Sequence, residues 1–332
     1  METIAKFKFP NTYGELGNEF VHQNQNASIN TETRIQLKLA AVDIGSNAIR
    51  LQVTVVTQYE NKITFKKLEY IRFPLRLGMD VFHTRNISDK NRRKFLKLMK
   101  AFKLLIDLYE VDDYMVCATS ALRESENGKE IVEEVRQEMG MKIQIIDGNR
   151  EADLINMALW SYIDHKPYLH IDVGGGSTEL NIYRDQTKIA SKSFKIGSVR
   201  ALDDRIPLTV WKNMHNFIHE FVPDKGKITC IGTGGNINKI FELSNPRKNK
   251  RYLDFSKIKE VQQTLESYTF QERINVLNLN EDRADVIIPA TKIYLAAMSA
   301  ANSSRMIVPD VGLKDGVMNV LYERNKLKKP LK

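Results

Sequence analysis

The sequence predicts an α/β protein made of a duplicated domain, with a ligand cleft between the copies. Three observations carry this expectation. A strand ending in Val42-Asp43-Ile44-Gly45-Ser46-Asn47 is echoed, a domain's length later, by Ile171-Asp172-Val173-Gly174-Gly175-Gly176-Ser177. Each motif is followed by two further strand-like runs and then by helical periods, so element order repeats along with the motif. The chain has 332 residues, which at ~150 residues per domain leaves room for two.

The elements follow in order. Residues 1–36 are rich in Asn, Gln, Thr and Glu and carry no period, so a disordered N-terminal extension is expected there. Leu37–Ile44, Ile49–Val56 and Ile63–Ile71 read as strands, the first two joined by a short Gly turn as in a hairpin. Phe95, Leu98, Met99, Phe102, Leu105, Ile106 and Tyr109 recur at helical spacing, with Ser88 or Asp89 as the cap. The remaining positions of that helix carry Lys90, Arg92, Arg93, Lys94, Lys97, Lys100 and Lys103, a solvated basic face. A strand at Tyr114–Ala118, a helix at Lys129–Met139, a strand at Lys142–Ile146 and a helix opening at Gly148 complete the first copy.

The second copy reads as strands at Leu169–Val173, Glu179–Tyr183 and Ile189–Phe194, a helix at Thr209–Phe221 and a strand at Lys227–Ile231. A helix to Leu243, a basic loop at 247–251, helices at 257–267, 270–277 and 289–302, a strand at Met306–Val308 and a helix at Asp315–Asn325 follow. The domains expected are therefore 37–149 and 150–306. Residues 307–332 are expected to return a strand and helix to the first domain and to end in a basic tail.

Composition narrows the class. Hydrophobic residues make up 42% and charged residues 27%, an ordinary globular balance that needs no disulfide or metal staple. The formal net charge of +9 excludes an acidic disordered chain and favours an anionic partner. The two cysteines, Cys117 and Cys230, lie in apolar strand-like runs without zinc or redox spacing, so buried free thiols are expected. No apolar run approaches the ~18 residues of a membrane span, and no secretion signal is evident. A cytoplasmic protein, binding neither membrane nor DNA, is expected. The six histidines show no metal spacing and are given no role.

The chemistry concentrates in the turns. Glycines let backbone N–H groups approach an anion, and Gly45, Ser46 and Asn47, then Gly174, Gly175, Gly176, Ser177 and Thr178, read as two phosphate cradles. Asp43 and Asp172 cannot welcome phosphate directly; holding Mg²⁺, with Mn²⁺ as the alternative, is the sensible role for a carboxylate in that place. A third turn, Ile231-Gly232-Thr233-Gly234-Gly235-Asn236, joins a strand to a helix and adds Gly234 and Gly235 to the anion-binding candidates.

Five segments occur in a fixed order: Ala41–Asn47, Ala118-Thr119-Ser120-Ala121-Leu122-Arg123, Gly148-Asn149-Arg150-Glu151-Ala152, Ile171–Leu180 and Gly312-Leu313-Lys314-Asp315-Gly316. Together they resemble the exopolyphosphatase/guanosine pentaphosphate phosphatase family, in its short two-domain form, over about residues 38–325. The resemblance implies ribonuclease-H-like domains of the actin/hexokinase/heat-shock chaperone superfamily and a homodimer. It implies that Glu151 is the catalytic base for direct attack of water on a terminal phosphoryl group. It implies further that Asp172 and Glu179 serve the metal, and that Arg123 contacts phosphate, with Arg50 and Arg200 as weaker candidates. The closing Gly-Leu-Lys-Asp-Gly departs from the family's Gly-Leu-Arg-Glu-Gly with charge preserved.

The activity expected is Mg²⁺-dependent removal of terminal phosphate from inorganic polyphosphate, with guanosine pentaphosphate as the alternative substrate. A kinase-like phosphotransferase and a non-catalytic polyphosphate or alarmone binder are the rivals from other classes. The Glu151 motif speaks against the first, and the intact set of Asp43, Glu151, Asp172 and Glu179 speaks against the second. Arg92, Arg93, Lys94, Lys97 and Lys100 form one candidate track for a long polyanion, and Arg247, Lys248, Lys250 and Arg251 another.

Overall fold

The computed structural model describes residues 35–59, 62–203, 206–222, 228–244 and 251–326. It opens on a meander of β1 (Ile35–Ile44), β2 (Ile49–Tyr59) and β3 (Lys62–Phe73), antiparallel throughout. Helices α1 (Leu77–Thr84) and α2 (Asp89–Leu108) lead to β4 (Asp113–Ala118), which lies parallel to β1. Then come α3 (Ser120–Glu124), α4 (Gly128–Met139), β5 (Ile143–Ile145) and α5 (Gly148–Leu159). The first sheet runs β3-β2-β1-β4-β5.

The second half repeats the plan. A meander of β6 (Tyr168–Val173), β7 (Thr178–Arg184) and β8 (Thr187–Phe194) precedes α6 (Leu208–Phe221) and β9 (Thr229–Thr233), which lies parallel to β6. Next are α7 (Gly235–Leu243), β10 (Tyr252–Asp254), α8 (Phe255–Ser267), α9 (Phe270–Asn275), α10 (Glu281–Ala284) and α11 (Ile287–Ala300). The chain closes with β11 (Arg305–Ile307) and α12 (Leu313–Asn325). This sheet runs β10-β11-β9-β6-β7-β8, so each strand of the first sheet has a counterpart and β10 adds an edge.

Local chemistry explains the ends of these elements. Ser88 caps α2 by accepting from the Asn91 amide at 3.3 Å, and Phe95, Met99, Phe102 and Ile106 bury its apolar stripe. The short α1 escapes the sequence reading because Arg76 and Arg85, both left-handed with φ of 56° and 62°, bound only eight residues. It matters for the cleft. Gly78 and Arg76 donate their amides to the carbonyls of Ser46 and Asn47 at 2.8 and 3.0 Å, which fixes the first Gly turn from behind. Both cysteines are buried and free, as expected, and burial pushes each thiol up to about 12.

Among the described residues, three apolar cores hold the frame. One lies between the first sheet and α2 and α4, and a second packs α6, α7, α8 and α11 on the second sheet. The third joins the sheets: Leu37, Leu39 and Met115 from one side and Tyr168, Tyr183 and Ile231 from the other close on α5 and α12. Helix α12 packs on β1 and α5, and its Tyr322 hydroxyl donates to Gln58 on β2 at 2.6 Å. The strand before it does not travel with it. Met306 and Ile307 pair with Cys230 and Ile231, so β11 belongs to the second sheet, and grouping residue 307 with the C-terminal helix is corrected. The stretch read as an extension ends too late as well, since Ile35 and Gln36 already pair in β1; residues 1–34 lie outside the described residues, as does the tail from 327.

Helices α5 and α12 cross in contact. A Cβ added to Gly316 would stand 1.8 Å from the carbonyl oxygen of Leu154, a clash with backbone that no rotamer relieves. Gly316→Val is expected to destabilise the protein by about 1–3 kcal/mol or more, read as a lower urea midpoint. Gly312→Ala is the control: its Cβ would meet nothing within 4 Å, and the midpoint should stay unchanged.

Candidate active site

The two Asp-led turns have the same local build. The Gly45 amide donates to the Ala48 carbonyl at 3.2 Å, and the Gly174 amide donates to the Ser177 carbonyl at 2.9 Å. They face each other so closely that a Cβ on Gly175 would lie 2.9 Å from the Ser46 Cβ. Ser46 and Ser120 share a buried hydrogen bond of 2.8 Å at the base of this contact. A cavity of about 560 Å³ opens beside it, lined among others by Asp43, Arg50, Glu151, Asp172, Ser177 and Gly234. Gly234 takes φ 108°, a conformation suited to glycine, and starts α7 at the cavity wall.

Strand register decides the chemistry of each wall. In the first sheet one row reads Cys117, Asp43, Arg50, Arg72 across β4, β1, β2 and β3. In the second sheet the matching row reads Thr233, Asp172, Glu179, Ser193 across β9, β6, β7 and β8. The duplicated aspartates therefore meet opposite neighbours. Arg50 donates to Asp43 at 2.9 Å, whereas Asp172 stands beside a second carboxylate.

Glu151, in the first turn of α5, joins that second pair. The helix is capped by Asp147, which accepts from the Arg150 amide at 2.8 Å. One carboxylate oxygen from each of Glu151, Asp172 and Glu179 falls within 4.8 Å of the others. Burial raises the pKa of all three. For Glu151 the charges of Glu179, Asp172 and Asp43 raise it further, while Arg123 draws it back. Glu179 is pushed up to about 7 by burial and then by Asp172. Ser193 donates to Glu179 Oε1 at 2.8 Å, and Thr233 donates to Asp172 Oδ1 at 2.7 Å. Glu151 Oε2 and Glu179 Oε2 are buried without a hydrogen-bond partner among the described residues.

Residues 54–324 match the Ppx/GppA phosphatase family. The chain belongs to that family. It is 27% identical to the bifunctional 3-dehydroquinate synthase/phosphatase of Fusobacterium nucleatum, over 93% of this chain and 50% of that protein. It is 24% identical to the guanosine-5'-triphosphate,3'-diphosphate pyrophosphatase of Photobacterium profundum, over 84% of this chain and 58% of that one. The chain thus spans about half the length of the curated relatives it matches. Among solved structures, the Ppx/GppA family member of Aquifex aeolicus superposes with a TM-score of 0.67 at 24% identity, covering 87% of this chain and 99% of that one. An exopolyphosphatase from Cytophaga hutchinsonii gives 0.74 at 21% identity, covering 86% and 98%. These likenesses show the fold, the duplicated α/β architecture expected from the sequence.

Within this Ppx/GppA protein some expected site residues converge and others do not. Gly45, Ser46, Asn47, Gly174, Gly175, Ser177, Gly234 and Gly235 line the cavity with Glu151 and Asp172. Asp43 lines it too, but it is ion-paired with Arg50 and lies outside the carboxylate trio. Thr178 is corrected: its hydroxyl donates to the Ile196 carbonyl at 2.6 Å in the core, because it precedes Glu179 and points to the opposite face. Gly176 is a packing position, where a Cβ would lie 2.3 Å from the Phe82 ring. Arg123 donates to the Ile146 carbonyl at 2.6 Å and acts on Glu151 and Glu179 through its charge. Arg200 is a bracket between the walls, with its guanidinium 4.0 Å from the Phe82 ring centre and bonds of 2.7 Å to Gly176 and to Glu124.

Two arginines absent from the sequence reading line the cavity. Arg72 sits beside Arg50 in the row and pairs with Asp282, and Arg283 donates to the Gly235 carbonyl. Burial and the charges of Arg72 and Arg50 lower the Arg283 pKa, the mark of a cation held among cations. The only sequence signal was period-two spacing from Tyr70 to Arg72; the approach of Arg283 is purely tertiary. Of the basic tracks, Arg92 is neutralised by Glu130 and Glu134, while Arg93, Lys94, Lys97 and Lys100 are exposed. Residues 247–250 lie outside the described residues.

The raised carboxylates predict a pH dependence. A folded pKa of about 7 for Glu179, against an ordinary 4.5, means that the folded state holds its proton more tightly. With chelator present, stability should therefore be fully retained below pH 4.5 as far as this group is concerned, and fall as pH rises toward 7, by on the order of a few kcal/mol. Urea titrations at pH 5 and pH 7.5 would measure it. Glu179→Gln should flatten the slope, and an unchanged slope in that variant would assign it to other groups.

Proposed function

We propose that this protein hydrolyses the terminal phosphate of inorganic polyphosphate by direct attack of water, with Glu151 as the general base. The observation that carries the reading is the carboxylate trio, which has no ion pair among the described residues and two of whose members, Glu151 and Asp172, line a cavity shared with Arg50, Arg72 and Arg283. The all-oxygen donor set and the two buried, unpaired carboxylate oxygens suit a hard divalent cation, Mg²⁺ with Mn²⁺ as substitute. Asp172 and Glu179 would hold it, leaving Glu151 for the proton. Bound there, the cation supplies charge neutralisation to the phosphoryl oxygens.

The rest falls to the chain's own groups. The amides of the Gly turns and the arginines take up the negative charge of the terminal phosphate and hold it in place. Glu151 orients a water molecule and accepts its proton as the water oxygen bonds to phosphorus and the bridging P–O bond breaks. The shortened chain leaves as the second product. A raised pKa suits this task, since a more basic carboxylate is the better proton acceptor once ionised. Among the described residues neither cysteine is placed for a covalent route, both being buried with raised thiol pKa values.

A second reading, hydrolysis of guanosine pentaphosphate, draws on the aromatic side chains of the cavity. Phe65 and Tyr70 line it at 41% and 37% exposure, and Lys67 and Lys314 stand 5.3 and 6.0 Å from the Tyr70 ring centre. An aromatic ring near two cations suits a nucleobase that carries phosphates, and inorganic polyphosphate has no use for it.

Phosphate release from polyphosphates of defined length, beside guanosine pentaphosphate and ATP, with and without Mg²⁺, tests the reading. Polyphosphate should be the preferred substrate, and activity should vanish in chelator. Tyr70→Ala should leave polyphosphate turnover within about threefold of wild type; a larger loss confined to the nucleotide would favour the second reading. Glu151→Gln should lose about 10²–10⁴ in rate while still retaining polyphosphate in a binding assay. Near-normal turnover in that variant would remove Glu151 from the role.

A further inference from the structure

Behind the carboxylate row lies a buried histidine that the proposed chemistry does not use. His170 is two residues before Asp172 on β6 and shares its face. Its row reads His170, Asn181, Ser191 across β6, β7 and β8. His170 and Asn181 are fully buried, and Thr233 is 1% exposed. Four hydrogen bonds run through them: Ser191 Oγ to Asn181 Oδ1 at 2.7 Å, Asn181 Nδ2 to His170 Nδ1 at 3.0 Å, His170 Nε2 to Thr233 Oγ1 at 2.8 Å, and Thr233 Oγ1 to Asp172 Oδ1 at 2.7 Å.

We propose that His170 is a positioning residue for Asp172, fixing through Thr233 which carboxylate oxygen is engaged inside the protein and which is left for a divalent cation. The inference rests on the cation reading given above. Donor directions follow from the groups themselves. A carboxylate only accepts, so the single proton of the Thr233 hydroxyl points at Asp172. The hydroxyl's lone pair then faces His170, whose Nε2 must carry hydrogen. Nδ1 is bare and accepts from the Asn181 amide, and the Asn181 carbonyl oxygen accepts from Ser191. One tautomer of the imidazole satisfies the chain.

The first copy shows why a neutral chain stands here. The residue equivalent to His170 is Ala41, flanked by Gln52 and Met115, and nothing comparable reaches Asp43 among the described residues. Asp43 is held instead by the guanidinium of Arg50. A cation beside Asp172 would cancel the charge that a metal ion needs. A neutral donor orients the carboxylate and leaves that charge in place.

The test uses Mn²⁺ binding to the substrate-free full chain, followed by electron paramagnetic resonance, together with the ¹⁵N shifts of the imidazole. His170→Leu should weaken Mn²⁺ binding by about 10–100-fold, and so should Thr233→Val. His170→Gln, whose amide can donate from the place of Nε2, and Thr233→Ser, which keeps the hydroxyl, should stay within about threefold of wild type. The last two variants keep the test alive if the apolar ones fail to fold. The imidazole should show a protonated Nε2 and a bare Nδ1. Wild-type affinity in folded His170→Leu, tenfold loss in His170→Gln, or the opposite tautomer would overturn the proposal. Absence of Mn²⁺ binding in the wild type would overturn the cation reading itself, and the role of His170 with it.

Discussion

Two antiparallel strands force Asp172 and Glu179 side by side, and the rest of the site is arranged around that repulsion. Directly opposed residues on such a pair sit close together, and like charges there are destabilising. The duplicated fold makes the alternative visible in the same molecule. At the matching place in the first sheet, Asp43 faces Arg50 and the row continues with Arg72. A single exchange of sign at one cross-strand position separates a wall that attracts anions from one that attracts cations. Glu151 then adds a third carboxylate to the second wall from a different element, and Arg123 answers with a positive charge that draws both glutamates back.

Holding three like charges together requires a frame that cannot relax around them. The third apolar core supplies it by joining both sheets through α5 and α12. Glu151 stands in the first turn of α5, so its approach to Asp172 depends on how closely that helix settles on α12. The absence of a side chain at Gly316 permits that approach. The two Gly turns touch each other, and Arg200 ties the second of them to Glu124 while stacked on Phe82. The conformational cost of ordering this region is offset by apolar burial away from the chemistry.

Much of this was legible in the sequence, and what escaped has a common cause. Strand and helix periods located the two meanders, and Ser88 was recognisable as a cap. The paired Asp-Gly motifs announced the duplication and the part of the cavity lining that the two turns supply. The errors lie where a one-dimensional pattern cannot carry register or approach. Asp43 and Asp172 look equivalent as motifs, and only their cross-strand partners distinguish them. Thr178 shared a motif with Ser177, although period two already placed it on the face opposite Glu179. Arg72 and Arg283 reach the cavity through pairing and packing distant in sequence. Helix α1 was hidden by left-handed residues at both ends and by Gly78, whose missing side chain makes room for Ser46. The histidines gave no signal because spacing along the chain says nothing about the row that His170 joins across β7 and β8.

The opposite signs of the two walls also bear on the order in which a charged ligand is accommodated. On the proposed reading, a phosphate entering the cavity meets arginines on one side and ionised carboxylates on the other. Without a cation, the second wall repels the same ligand that the first attracts. With one, that repulsion becomes attraction, so cation and phosphate each strengthen the binding of the other, as linkage requires of any coupled pair. A net charge of +9 spread over the surface cannot do this, because its field does not distinguish the two walls. The discrimination arises at the strand ends, where Arg50 and Glu179 occupy equivalent places with opposite charge.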